Sequence, residues 1–212
     1  MKTLIAIPCT DTVPTGFMES LLNLQKPEGT SVCIKPNSLI YDSRNLLSLT
    51  AIERGYDCVL WLDSDMMVPP YALSALIEDL ETCNCGMVTG LYFKRQFPHT
   101  PVIFRHVLPP ENQDGEIIKR IEEHYDYPRR TIFSVDGCGF GCCLTTTDLL
   151  KRVWDKFGPA FAPYIWAGED ISFCYRVKLL GERIFCDSRI SCGHIGSYVF
   201  TEDAYKRGEQ HG

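Results

Sequence analysis

Two carboxylates one residue apart, Asp63 and Asp65, stand directly after the apolar run Val59-Leu60-Trp61-Leu62. Like charges that close repel, and burying either one is unfavourable. A divalent cation removes the repulsion, and Mg²⁺ or Mn²⁺ takes hard oxygen ligands while keeping positions open for a phosphate. The plainer reading is a polar strand end leading to a helix, with Asp65 near its N-cap. A second acidic pair, Glu169-Asp170, follows Trp166-Ala167-Gly168. Acids in a helix's first turn are favoured by the dipole, but the aromatic residue just ahead sets this start apart. His194 lies in Ser191-Cys192-Gly193-His194-Ile195-Gly196 and is either structural or a ligand. Val135-Asp136-Gly137-Cys138-Gly139-Phe140-Gly141 places glycine at every second position. Such a run makes a tight turn or lets backbone pass close to a partner. It is not G-x-G-x-x-G after a first strand, which excludes a dinucleotide fingerprint.

Strands alternating with helices must position these residues. Residues 3–8 read as a buried first strand and 14–24 as an amphipathic helix with Pro14 near its start. A short strand at 31–35 precedes a helix capped by Asp42 or Ser43, which runs to Arg54 and stops at Gly55. The strand at 58–62 ends in the acids, Pro69-Pro70 opens a helix to about residue 82, and 87–92 is a further strand. A last helix opens at Gly168-Glu169 and runs to Gly181. The alternation predicts an α/β domain with a mostly parallel central sheet, flanked by helices and joined by right-handed crossovers. Ligands of such sheets bind beyond the carboxyl ends of strands, where Asp63 and Asp65 fall. Residues 93–134, rich in Pro, His and charge, break the pattern and read as a small antiparallel excursion across the site. The domain is expected to span residues 1–202, followed by a polar tail at 203–212.

The net charge of −6 argues against a surface for nonspecific nucleic-acid binding, which needs many Lys and Arg. The opening MKTLIAIPCT lacks a signal-peptide pattern, and no run of 18 apolar residues could span a bilayer. A cytoplasmic location with reduced thiols is therefore expected for the eleven cysteines. Cys83-x-Cys85 and the group Cys138, Cys142, Cys143 lack the paired C-x₂-C spacing of structural zinc.

The order of the motifs resembles the GT-A glycosyltransferases, especially family 2-like enzymes: a strand ending in Asp-x-Asp, then Gly-Glu-Asp at a helix start, then Gly-His-x-Gly. The segment from Trp166 to Asp170, with the later histidine, is also similar to the beta-1,4-galactosyltransferases. The resemblance runs from the first strand to about residue 197 and implies transfer of a sugar from a nucleotide donor, UDP-sugars favoured, to a hydroxyl acceptor. It implies that Asp65 binds Mn²⁺ (or Mg²⁺) directly, that Asp63 contacts the ribose or a metal-bound water, and that His194 is a further metal ligand. Asp170 would be the general base, with inversion favoured, and Glu169 would hold the acceptor or orient the base. Thr10, Asp11, Arg44, Asn45, Ser64, Lys94 and Arg95 would meet the donor. Asp136, Gly137, Gly139, Trp166 and Gly168 would line the sugar or acceptor pocket, for a glycan, small-molecule or modified-nucleobase acceptor.

There are departures. The chain has no Q-x-x-R-W segment of processive enzymes, and Pro8-Cys9-Thr10-Asp11 is not the usual family 2 first loop. A haloacid-dehalogenase phosphatase also uses Asp-x-Asp, but on its first strand and with Thr or Val where Met67 stands. A nucleotidyltransferase needs a basic Gly-rich loop after the first strand, which is missing. A binding module of the same fold, holding a sugar nucleotide or glycan without turnover, is the rival from another class.

Overall fold

Burial on both faces makes the central strands nearly continuous apolar runs. The computed structural model describes residues 1–196 and 199–207. β1 (Thr3–Cys9) alternates its side chains between two cores, Leu4 and Ala6 on one face and Ile5 and Ile7 on the other. α1 (Thr15–Asn23) covers the second face with Phe17 and Leu21. β2 (Ser31–Pro36) forms one edge of the sheet and is half exposed. α2 (Ile40–Glu53) begins before the expected Asp42 or Ser43. Leu39 occupies the cap position without a side-chain cap, and Asp42 serves as a first-turn acid instead. Gly55, at φ 63°, ends this segment as the sequence implied.

β3 (Cys58–Leu62) is wholly buried, and a turn leads to the two-residue β4 (Met66–Met67) and then α3 (Ala72–Cys83). β5 (Met87–Leu91) returns through the core. The excursion contains β6 (Ile103–Val107), the hairpin of β7 (Glu111–Gln113) and β8 (Glu116–Ile118), and β9 (Ile121–Glu123). β10 (Ile132–Val135), β11 (Gly137–Cys138) and β12 (Cys142–Thr146) follow, then α4 (Thr147–Phe157) and α5 (Glu169–Leu179). β13 (Ile184–Ser191), β14 (Gly193–Ile195), β15 (Val199–Phe200) and α6 (Glu202–Arg207) close the described chain.

The seven-stranded sheet has the order β10-β13-β5-β12-β3-β1-β2. β2, β1, β3, β5 and β13 all run one way, while β12 lies antiparallel between β3 and β5, and β10 antiparallel at the far edge. α2, α4 and α5 pack on one face and α1 and α3 on the other. This is an α/β architecture, a mixed central sheet flanked by helices, with small antiparallel sheets beside the main one.

The polar tail expected from residue 203 begins as α6, and Tyr205 stacks on Phe93 with centroids 4.8 Å apart. Residues 208–212 of that tail lie outside the described residues. Among the described residues no helix is long and apolar enough to cross a membrane. The cysteines are unpaired, and seven of them are buried.

Candidate functional site

β3 delivers Asp63 and Asp65 at its carboxyl end, as the sequence predicts. The Asp63 amide donates to the Gly141 carbonyl at 3.1 Å and the Met66 amide to the Asp63 carbonyl at 3.1 Å, closing a tight turn around Ser64. β13 carries an irregularity between Asp187 and Ser191, after which β14 pairs with β4 so that His194 stands opposite Met66. The Ile195 amide donates to the Asp65 carbonyl at 2.7 Å. Two segments more than a hundred residues apart thereby bring His194 Nε2 to 3.6 Å from Asp65 Oδ1.

The imidazole is oriented from behind. Its Nδ1 lies 2.8 Å from the carbonyl oxygen of Phe93, which can only accept, so Nδ1 carries a proton and Nε2 is the nitrogen turned towards Asp65. The ring also meets Tyr92 edge-on at 5.5 Å. The other carboxylate oxygen, Asp65 Oδ2, pairs with Arg95 Nη1 at 2.8 Å. Partial burial works against this charge, but His194 and Arg95 outweigh it and hold the Asp65 carboxyl below its ordinary range. A cleft of about 350 Å³ opens over this group, walled by Thr10, Ser64, Arg95 and His194. Ser38 and Ile40, which the motifs do not flag, line it too. Asp11, which follows Thr10 in the chain, is exposed and does not line the cleft.

Asp63 has a different neighbourhood. Arg44, whose side chain is only 2% exposed, donates from Nη2 to Asp63 Oδ1 at 2.8 Å and from Nε to Glu169 Oε1 at 3.4 Å. Its guanidinium lies over the Phe140 ring at 5.3 Å. Burial nevertheless raises the Asp63 carboxyl above its ordinary value, more than Arg44 lowers it. Glu169 and Asp170 occupy the first turn of α5, where Gly168 is the cap residue. Asp170 Oδ1 accepts from the Ile171 amide at 2.7 Å. Burial, reinforced by the charge of Glu169, pushes its carboxyl up to about 6.

Several residues named by the resemblance are held by protein partners or lie outside this cleft. Arg44 is an internal counter-charge and not an open donor contact. Asn45 turns into the protein, its Oδ1 accepting from the Phe161 amide at 2.9 Å. Lys94 is held by Glu123 at 2.8 Å. Asp136 pairs with Lys178 and lines a separate cleft with Arg105 and His124. That cleft lies by Val135 and Ile184, at the amino-terminal end of β13 and so at the opposite end of the parallel strands from Asp63 and Asp65. Gly137 and Gly139 are buried: their missing side chains make room for Val107 and for the Tyr92 hydroxyl. Trp166 stacks on Tyr164, with centroids 5.4 Å apart, and faces a groove lined by Leu108, Ile117 and Ile121.

Asp65 and His194 suit a cation of the Mn²⁺ type, being a hard carboxylate beside an oriented imidazole. Among the described residues no group of three ligating side chains converges.

No protein-family model matches the chain, and no curated protein matches it. Solved structures do. The chain is similar to A197 from STIV, with a TM-score of 0.66 and 19% identity over 100% of this chain and 96% of that one. It is also similar to GalNAc-T7, solved with UDP, GalNAc and Mn²⁺, with a TM-score of 0.65 and 12% identity over 98% of this chain. It spans 47% of the GalNAc-T7 chain, about half its length. At such identities the shared property is the fold, which is GT-A-like.

Proposed function

We propose that this protein is a metal-dependent glycosyltransferase that moves a sugar from a nucleotide-diphosphate donor, a UDP-sugar by preference, to a hydroxyl acceptor. The observation that carries the reading is the convergence of Asp65 and His194 Nε2, 3.6 Å apart, at the carboxyl end of β3. The fold shared with GalNAc-T7, a protein crystallised with UDP and Mn²⁺, supports the same assignment.

In this reading Asp65 and His194 hold the cation, with Thr10, Ser64 and Arg95 around the donor. When bound, the cation supplies positive charge to the diphosphate as it leaves. Asp63, fixed by Arg44, is placed to accept from the ribose or from a metal-bound water. Asp170 takes the proton of the acceptor hydroxyl, and its raised carboxyl suits it to accept a proton near neutrality. A base on the face opposite the leaving diphosphate gives inversion. Glu169, already engaged by Arg44, positions the first turn of α5 on which Asp170 sits. Trp166 and Gly168 flank the acceptor's approach, for a glycan, small molecule or modified nucleobase.

Calorimetric titration of UDP into the protein, with Mn²⁺ and then with EDTA, tests the donor site. Metal-dependent binding that disappears in Asp65→Ala is the expected result. Equal binding in EDTA, or in Asp65→Ala, overturns the metal role. Binding without hydrolysis or transfer of any UDP-sugar would replace the enzyme by a binding module.

A further inference from the structure

Both oxygens of Asp65 are covered by nitrogen: His194 Nε2 faces Oδ1 at 3.6 Å, and Arg95 Nη1 holds Oδ2 at 2.8 Å. An ion arriving at this carboxylate meets a positive guanidinium already in contact with it, and like charges at such distances repel strongly away from bulk water. The repulsion is relieved when one of the two groups moves away. His194 is fixed from behind by the Phe93 carbonyl, and its side chain is only 15% exposed. Arg95 is 48% exposed, and among the described residues it donates, apart from Asp65, only to the Ile195 carbonyl, at 3.3 Å. The guanidinium is therefore the mobile partner. Its neighbour Lys94 cannot replace it, being occupied by Glu123.

We infer that Arg95 and the divalent cation exchange at Asp65, and that the released guanidinium then binds the donor's diphosphate. This inference rests on the donor-site reading above. A diphosphate is the ligand that reconciles the two positive groups, because its oxygens can bridge a cation and a planar guanidinium fork together. Without nucleotide the ion has only Asp65 and His194 and must displace an ion pair. With nucleotide, the displaced arginine gains a stronger partner than the one it left. Cation and nucleotide consequently bind with positive coupling, and Arg95 is the residue through which part of that coupling passes.

The experiment is a titration of the full chain with Mn²⁺, free ion being read from its paramagnetic resonance signal, with and without UDP. Wild type, Arg95→Ala and Arg95→Lys are compared. Removing a half-exposed ion pair should tighten binding of Mn²⁺ alone by about two- to fivefold in Arg95→Ala. Loss of a charge-assisted bond should weaken UDP binding in saturating Mn²⁺ by about tenfold or more. The factor by which UDP raises Mn²⁺ affinity then shrinks, and Arg95→Lys falls between. Unchanged or weaker Mn²⁺ binding in Arg95→Ala, or unchanged UDP affinity, overturns the exchange while leaving the donor site intact. A wild-type protein that binds neither Mn²⁺ nor UDP overturns the donor-site reading, and the exchange with it. Melting temperatures of the three proteins, expected to agree, exclude a folding defect.

Discussion

Arg44 and Glu169 lie 125 positions apart, yet Arg44 Nε donates to Glu169 Oε1 at 3.4 Å while its Nη2 holds Asp63 Oδ1 at 2.8 Å. One buried cation thus ties the end of β3 to the first turn of α5. The strand end beside the cleft and the helix turn that carries Asp170 share a single counter-charge.

Arg44→Met leaves Asp63 and Glu169 without that charge. Breaking a buried pair from one side costs about 3–5 kcal/mol, and the partial exposure of both carboxylates puts this case near the lower end. Arg44→Lys should recover little, because an ammonium cannot present the same fork to two carboxylates. Urea denaturation measures both; a loss below about 1 kcal/mol would remove the structural role.

Asp170→Asn should keep UDP binding and lower transfer by about 10²–10⁴-fold, the usual span for a general base. In wild type, transfer should rise with pH through about 6 and then level, as the carboxyl ionises. The stability effect has the opposite sign. A carboxyl whose folded value is raised contributes stability at low pH that is lost as pH climbs through that value. The asparagine variant should therefore melt higher than wild type at about pH 7.5, with the gap narrowing towards about pH 4.5. A gap that does not change with pH would show that Asp170 is not the perturbed group.

Asp79 on α3 and Asp187 on β13 are buried together, both gripped by Arg189 at 3.0 Å and 2.9 Å. Burial and the neighbouring carboxylate push Asp79 up to about 7, while Arg189 keeps Asp187 low despite its burial. The proton held on Asp79 stabilises the fold below that value and is lost as pH rises through it. Asp79→Asn should gain melting temperature relative to wild type on going from about pH 5.5 to about pH 8.5. Parallel melting curves across that range would refute the shared proton.

Gly139→Ala would drive a methyl group into the Tyr92 hydroxyl and to 2.7 Å from Val102 Cγ1. Overpacking of this kind costs about 1–3 kcal/mol. Adding Tyr92→Phe should recover part of the loss, because the clash is with the hydroxyl. Simple additivity of the two substitutions in a double-mutant cycle would contradict the contact.

The strands that end in chemistry are legible because burial on both faces writes itself as an apolar run, as in Val59–Leu62 ahead of Asp63. The start of α2 is not, since Leu39 caps it without a side-chain bond and leaves no residue signature. β12 is also hard to see: Cys142–Thr146 is short, follows glycines, and becomes a strand only through partners at 58–62 and 87–89. Among site residues, Asp65 and His194 are recognisable from their order in the chain. The roles of Arg44, Asn45 and Lys94 are set by Glu169, Phe161 and Glu123, far along the sequence, and no local spacing encodes those encounters.

β12 runs antiparallel between the co-directional strands β3 and β5, and this constrains the order of assembly. β3 and β5 do not pair with each other; each waits for residues 142–146. A nascent chain that has emerged only as far as the excursion holds β1, β2 and β3 as one fragment and β5 as an unattached apolar strand. Such exposed edges are aggregation-prone, and closure through distant residues is slow. Ribosome-stalled chains ending before Thr146 should remain protease-sensitive across β5, and protection should appear only once β12 and α4 have cleared the exit tunnel.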